Sequence, residues 1–216
     1  MSYNFDGTND WIGNATTCPV TSGPCSVACW FQPDIGNSGH IINICNSSGE
    51  DSFRLSLGAG SLMRLNAVDN GVGDLIDTTG SVSTAGWNFG GFRITSSTSR
   101  KLYLFSYPSY TIETVTDTSS QNPTNFTRLH IGSRRNNSTT DEYYNGKIAE
   151  VAIWNVSLED SDFISMSKGI SCTLVRPQNL VFYAPLIRDI VDLTTSKLAL
   201  TNNGGATVSD HPRIYI

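Results

Sequence analysis

The 216 residues carry a formal net charge of −5, and only 15% of them are charged. The 14 Lys and Arg are scattered rather than clustered, which argues against a phosphate-tracking stripe and so against nucleic acid as a partner. No apolar run approaches the roughly 18 residues that a membrane-spanning helix needs. Ser, Thr, Asn and Gly are abundant, a composition that favours strands joined by polar turns, and residues 1–216 are expected to form one all-β domain.

Taken in order, Tyr3-Asn4-Phe5 opens a strand and Asp6-Gly7 turns it. Met1 leads into this pattern without the apolar run of a leader, which points to a mature form or to release by another route, such as lysis of a host. Ser26 to Phe31 alternates as a strand, and Gly36-Asn37-Ser38-Gly39 reads as a turn. Period-2 runs follow at Phe53/Leu55/Leu57 and Met63/Leu65/Ala67, the latter ended by Asp69-Asn70-Gly71. Leu102/Leu104 then alternate against Tyr103/Phe105, and Leu129/Ile131 mark a further strand.

In the run through Trp154, unbroken alternation places Ile148, Ala152 and Trp154 on one face and Lys147, Ala149 and Ile153 on the other. One short helix is expected, with Ser157-Leu158-Glu159-Asp160 as its capping box, Phe163, Ile164 and Met166 as its apolar face, and Gly169 as its stop. Leu180 to Tyr183 reads as one more buried strand. Short strands at this spacing make a two-sheet antiparallel sandwich or a barrel.

The five cysteines, Cys18, Cys25, Cys29, Cys45 and Cys172, cannot all pair within one chain. Cys18 and Cys25 flank a turn-prone stretch and could close a small loop; buried free thiols are equally compatible with the pattern. Cys25 and Cys29, on one side of a strand, are roughly 13 Å apart at strand rise, too far to share a metal.

Several segments in sequence order resemble the laminin-G-like branch of the concanavalin A-like lectin and glucanase fold. They are Phe5-Asp6-Gly7-Thr8-Asn9-Asp10-Trp11, Val27-Ala28-Cys29-Trp30-Phe31 ending at Pro33, Trp87-Asn88-Phe89 with Leu102-Tyr103-Leu104, and Ile131-Gly132-Ser133 followed by Asn145-Gly146-Lys147-Ile148-Ala149-Glu150-Val151. The resemblance implies a concanavalin A-like jelly roll with one short helix. Trp30, Trp87 and Trp154 are expected as core between its sheets. Members of the fold often hold calcium through an aspartate that is Ala149 here; Glu150, on the opposite face by strict alternation, does not replace it. Asp6 and Asp10 remain as candidate calcium ligands, and no other cofactor is expected.

Glucanases of this fold need two carboxylates flanking the scissile bond, and the chain has no such cluster. Asp141-Glu142 is an adjacent pair, expected to point to opposite faces of an extended chain. His40, His130 and His211 lie far apart without a Ser or Cys partner and read as ordinary polar or half-buried residues. The candidate ligand site is the loop bearing Arg134, Asn136, Asn137, Asp141, Tyr143 and Tyr144, which combines a guanidinium, amides and aromatic rings suited to sugars; a plain polar hairpin is the competing reading. Trp11 is the other residue with a claim to exposure.

By resemblance to stand-alone modules of tailed-phage virions, the expected function is that of a non-enzymatic protein on the virion surface, a capsid decoration or fibre-type component. It would dock on other virion proteins of capsid or tail, bind host surface glycans, and allow homo-oligomers. A secreted, extracellular carbohydrate-binding lectin is the alternative, and a glycoside hydrolase or lyase of the same fold the third reading.

Overall fold

A computed structural model describes residues 2–34 and 39–215. Gly36, Asn37 and Ser38 of the expected turn therefore lie outside the described residues. In chain order the strands are β1 (Ser2–Asp6), β2 (Trp11–Asn14), β3 (Cys25–Pro33), β4 (His40–Cys45), β5 (Ser52–Leu57), β6 (Leu62–Asp69), β7 (Val72–Ser81), β8 (Asn88–Ser96) and β9 (Ser99–Phe105). There follow β10 (Ile112–Asp117), β11 (Arg128–Ile131), β12 (Arg134–Asn136), β13 (Thr139–Asp141) and β14 (Asn145–Trp154). Helix α1 (Asp160–Ser167) precedes β15 (Leu180–Ala184), β16 (Thr201–Asn203) and β17 (Thr207–Ser209).

One antiparallel sheet runs β10-β9-β8-β3-β14-β1-β17, with β15 beside the second half of β14; the other runs β16-β2-β11-β4-β5-β6-β7. The two stack as a jelly-roll sandwich. After β15 the chain visits both sheets again, placing β16 on β2 and β17 on β1. Alternation explains the interior: Phe5, Phe31, Phe92, Leu102, Leu104 and Phe182 from the first sheet meet Ile42, Phe53, Leu65 and Ile131 from the second.

A second apolar layer covers the outer face of the first sheet. Trp30, Phe89, Tyr103, Phe105 and Trp154 pack there under Phe163 and Met166 of α1. Phe163 stacks on Tyr103 with ring centroids 3.9 Å apart and planes within 9°. The tryptophans are thus core of a different kind from the one expected. Trp30 and Trp154 are buried outside the sandwich, beneath the helix, and Trp87 is only partly buried against the same layer.

Strict alternation fails within β14. Ala149 pairs with Trp30 and Ala152 with Ala28, so Glu150 and Val151 together oppose Cys29 in a β-bulge, with Glu150 at φ 55°. The extra residue shifts the pattern by one. Ile148, Val151 and Ile153 face the sandwich, whereas Ala149, Ala152 and Trp154 face the helix layer. Glu150, assigned by alternation to the face opposite Ala149, lies instead on the helix-layer side, where its carboxylate meets Tyr183.

Helix α1 begins two residues later than the motif implied. The Glu159 amide donates to Asp162 Oδ2 at 2.9 Å, while Ser157 Oγ is occupied with Thr95 Oγ1 at 2.8 Å. Gly169, at φ 90°, ends the helix as expected. All five cysteines are free and buried, and burial pushes the Cys25 and Cys45 thiols up to about 12.

Candidate functional site

The expected ligand loop is a hairpin of β12 and β13, turned through Asn137 and Ser138 at φ 43° and 62°. Two successive left-handed residues fit a tight two-residue turn, which accounts for Asn137 by backbone preference. Arg134 lies opposite Asp141 and donates to it through Nε and Nη2, at 2.8 and 2.9 Å. Glu142 turns back at φ 45° and reaches the same guanidinium at 2.9 Å, so the two neighbouring carboxylates converge where opposite faces were expected. Its other oxygen meets His40 Nε2 at 2.9 Å. The bond with His40 and the charge of Arg134 hold the Glu142 carboxyl below its ordinary range despite partial burial.

The six loop candidates therefore divide. Arg134 and Asp141 are spent on each other. Tyr144 is fully buried, edge-on to Phe5 in the sandwich, and is out of reach of a surface ligand. Asn136, Asn137 and Tyr143 remain on the hairpin's surface, with the Tyr143 hydroxyl donating to the Thr140 carbonyl at 3.1 Å.

The hairpin lies across the outer face of the second sheet. The Arg135 amide donates to Asn43 Oδ1 at 2.9 Å, and the Ser138 amide to the Ser48 carbonyl at 2.9 Å. Beneath it runs a polar row, His130, Asn43 and Arg54, in register across β11, β4 and β5. All three are buried. Arg54 donates to the Gly49 carbonyl and Ser52 Oγ, and burial with the nearby Arg134 lowers its guanidinium to about 10.

At the β2 end of this row, Trp11 stacks on His130 with ring centroids 4.3 Å apart and planes within 13°. Arg128 lies two positions from His130 on β11, and its charge adds to burial in lowering the Arg135 guanidinium. Among the described residues neither arginine makes an ion pair, though Arg135 Nε donates to the Ser47 carbonyl at 3.2 Å. Arg128 Nε, Asn43 Nδ2 and His130 Nε2 are buried without a hydrogen-bond partner among the described residues. Burial, then Arg135 and Arg128, push His130 down to about 3, so the ring is neutral near neutral pH. The site thus offers an aromatic platform and two cations that make no ion pair among the described residues. Of these residues the sequence offered Trp11 for exposure and Arg135 within the expected ligand loop, and it read His130 as an ordinary polar residue; the alternation that points Leu129 and Ile131 inward also sends Arg128 and His130 outward.

Asp6 and Asp10 act on the turn between β1 and β2. Asp6 Oδ1 accepts from the Thr8 and Asn9 amides at 2.8 and 3.3 Å, and Asp10 Oδ2 accepts from the Asp6 amide at 3.1 Å. Burial and the charge of Asp6 raise the Asp10 carboxyl above its ordinary value. As a donor set the pair falls short of the roughly six to eight oxygens of a calcium site. Among the described residues no three acidic, His or Cys side chains come together to hold a metal.

A pocket of about 520 Å³ surrounds the displaced Glu150. Tyr183 donates to Glu150 Oε2 at 2.6 Å, and His211 Nε2 lies 3.1 Å from Oε1. Among the described residues Glu150 is the one carboxylate lining this pocket, whereas glycoside hydrolysis asks for two.

Residues 6–162 match the laminin-G-type family model described as the concanavalin A-like lectin/glucanases superfamily. A comparison with curated protein sequences finds no match. Among solved structures, the fold is similar to the heptameric SAP-like pentraxin of Limulus polyphemus, with a TM-score of 0.65 and 12% identity over 97% of this chain and 94% of that one. It is also similar to the CBM40 module of the Ruminococcus gnavus IT-sialidase bound to α2,3-sialyllactose, with a TM-score of 0.56 and 12% identity over 68% of this chain and 83% of that one. The enzymatically active domain of tailspike protein 2 of bacteriophage CBA120 matches with a TM-score of 0.62 and 15% identity over 87% of this chain and 30% of that one. The two-sheet architecture and a family match over most of its length agree: the chain belongs to the concanavalin A-like lectin/glucanase superfamily.

Proposed function

We propose that the protein is a non-catalytic glycan-binding module carried on the surface of a larger assembly, and that its ligand is an acidic saccharide held at Trp11, Arg128 and Arg135. The carrying observation is the pairing of a half-buried tryptophan, fixed by its stack on His130, with two arginines that no carboxylate neutralises among the described residues. An indole offers a face to a pyranose ring, and a guanidinium fork fits a sugar carboxylate. The sialyllactose complex of the CBM40 module supports an acidic ligand on this architecture.

The likeness to a phage tailspike supports a virion as the assembly, with capsid or tail proteins as neighbours, and the heptameric pentraxin supports an oligomeric arrangement. A secreted lectin would use the same site, so association with purified particles separates the two readings. Titration with α2,3-sialyllactose and with lactose tests the ligand. Preference for the acidic sugar, weakened at least about tenfold by Trp11→Ala or Arg128→Ala, is expected. Equal binding of both sugars, or binding untouched by either substitution, overturns the proposal. Sugar released from a polysaccharide panel would overturn its non-catalytic part.

A further inference from the structure

On the opposite side of the molecule, over the first sheet, a cleft of about 490 Å³ opens between α1 and the segment joining β9 to β10. Trp30, Trp87, Tyr107, Tyr110 and Tyr215 are among the residues that line it. Tyr107 and Tyr215 are 40% and 56% exposed, a large aromatic area to leave in water. The rings are held in place. Tyr110 stands edge-on to both Trp30 and Tyr107, with centroids 6.0 and 6.2 Å away, and its hydroxyl donates to the Trp87 carbonyl at 3.1 Å. Its backbone sits at φ 51°, a costly conformation for a bulky residue that clusters at ligand-holding sites.

Two glycines seat the outer tyrosines. A Cβ on Gly86 would come within 2.7 Å of the Tyr107 ring, and one on Gly169 within 3.0 Å of the Tyr215 ring, so both rings rest directly on backbone. The Trp87 indole N–H is buried without an acceptor among the described residues. Lys168 and Arg213 stand at the rim; among the described residues neither makes an ion pair and no Asp or Glu lines the cleft. In a chain of net charge −5 this is a local positive site.

We infer that this cleft is a second saccharide site, taking an acidic pyranose of the uronic or sialic type. The sugar face stacks between the aromatic walls, and the carboxylate lies between Lys168 and Arg213. The site is separate from the Trp11 face and does not rest on it. A protein with both would hold glycans on two faces and gain avidity on a dense glycan surface.

The test follows the indole N–H resonance of Trp87, assigned with Trp87→Phe, in the Arg128→Ala background during titration with methyl glucuronide and, in parallel, neutral methyl glucoside. A saturable shift with the glucuronide, weakened at least about tenfold by Tyr107→Ala, is expected. Replacing Lys168 and Arg213 together by Ala should remove the preference over the glucoside while the N–H still shifts. No shift at saturating millimolar sugar, equal response to the two sugars, or unchanged binding in Tyr107→Ala overturns the inference. A shift that follows protein concentration instead of sugar would assign the cleft to a second copy of the chain and overturn it equally. Because the background already lacks Arg128, failure here leaves the Trp11 reading intact, and the reverse holds.

Discussion

The imidazole of His130 lies flat against the indole of Trp11, centroids 4.3 Å apart, and its Nδ1 faces Ser133 Oγ at 3.2 Å. With Arg128 and Arg135 nearby and the ring buried, the folded protein resists protonating it until about pH 3, against an ordinary value of 6.5. Between those values the unfolded chain takes up a proton that the native state refuses. Stability is complete above about pH 6.5 and is lost as the pH falls, by an amount on the order of a few kcal/mol once the window is crossed. His40, lowered chiefly by burial, acts in the same direction. Urea unfolding of His130→Phe, which keeps a flat ring but cannot titrate, should show a shallower decline between about pH 7 and pH 5 than the parent. Parallel profiles would show that the ring is free to charge when folded.

The bulge places Glu150 between Tyr183 and His211, nearly closed off from water. Glu150→Ala strands the Tyr183 hydroxyl and should cost about 3 kcal/mol or more, whereas Glu150→Gln, which keeps an acceptor of the same shape, should cost about 1–2 kcal/mol. Chemical denaturation reads both. Equal costs would mean that the carboxyl group, and not merely an acceptor at that point, carries the interaction.

Trp154 is fully buried beneath the helix layer and donates its indole N–H to the Val175 carbonyl at 2.8 Å. Trp154→Phe should cost about 1–2 kcal/mol for the bond, and Trp154→Ala about 3–5 kcal/mol for the cavity as well. Thermal melts rank them. A phenylalanine variant as damaged as the alanine variant would place the whole contribution in the hydrogen bond.

The Arg134–Asp141 pair anchors the hairpin at a half-exposed position, where such a pair is worth at most about 1 kcal/mol. Asp141→Ala should therefore change global stability little while quickening proteolytic cutting near Asn137-Ser138, because the strap loses a local tether. A drop in global stability without faster cutting would argue that the hairpin unfolds only with the whole domain.

Where the sequence could be read, local periodicity sufficed. Leu102 and Leu104 face the sandwich and Tyr103 and Phe105 the helix layer, as simple alternation requires, because β9 has no bulge over that stretch. In β14 the same rule mis-sorts every residue after Ala149, since nothing in Ile148-Ala149-Glu150-Val151 announces an extra residue. The hairpin was legible as a turn, yet Tyr143 and Tyr144 are adjacent and chemically alike, and only the fold decides which one is buried. The Trp11, His130 and Arg128 grouping joins β2 to β11 across more than a hundred residues, a pairing that no local pattern encodes.

The bulge at Glu150 sets the phase of the chain. Deleting one residue there would act as a frameshift in space: the Trp154 indole would be driven into the sandwich and Ile153 turned out toward the helix. Homologues aligned by residue count alone across this point would equate inward positions with outward ones. Any transfer of a site from one member of the superfamily to another must first ask whether both carry the extra residue.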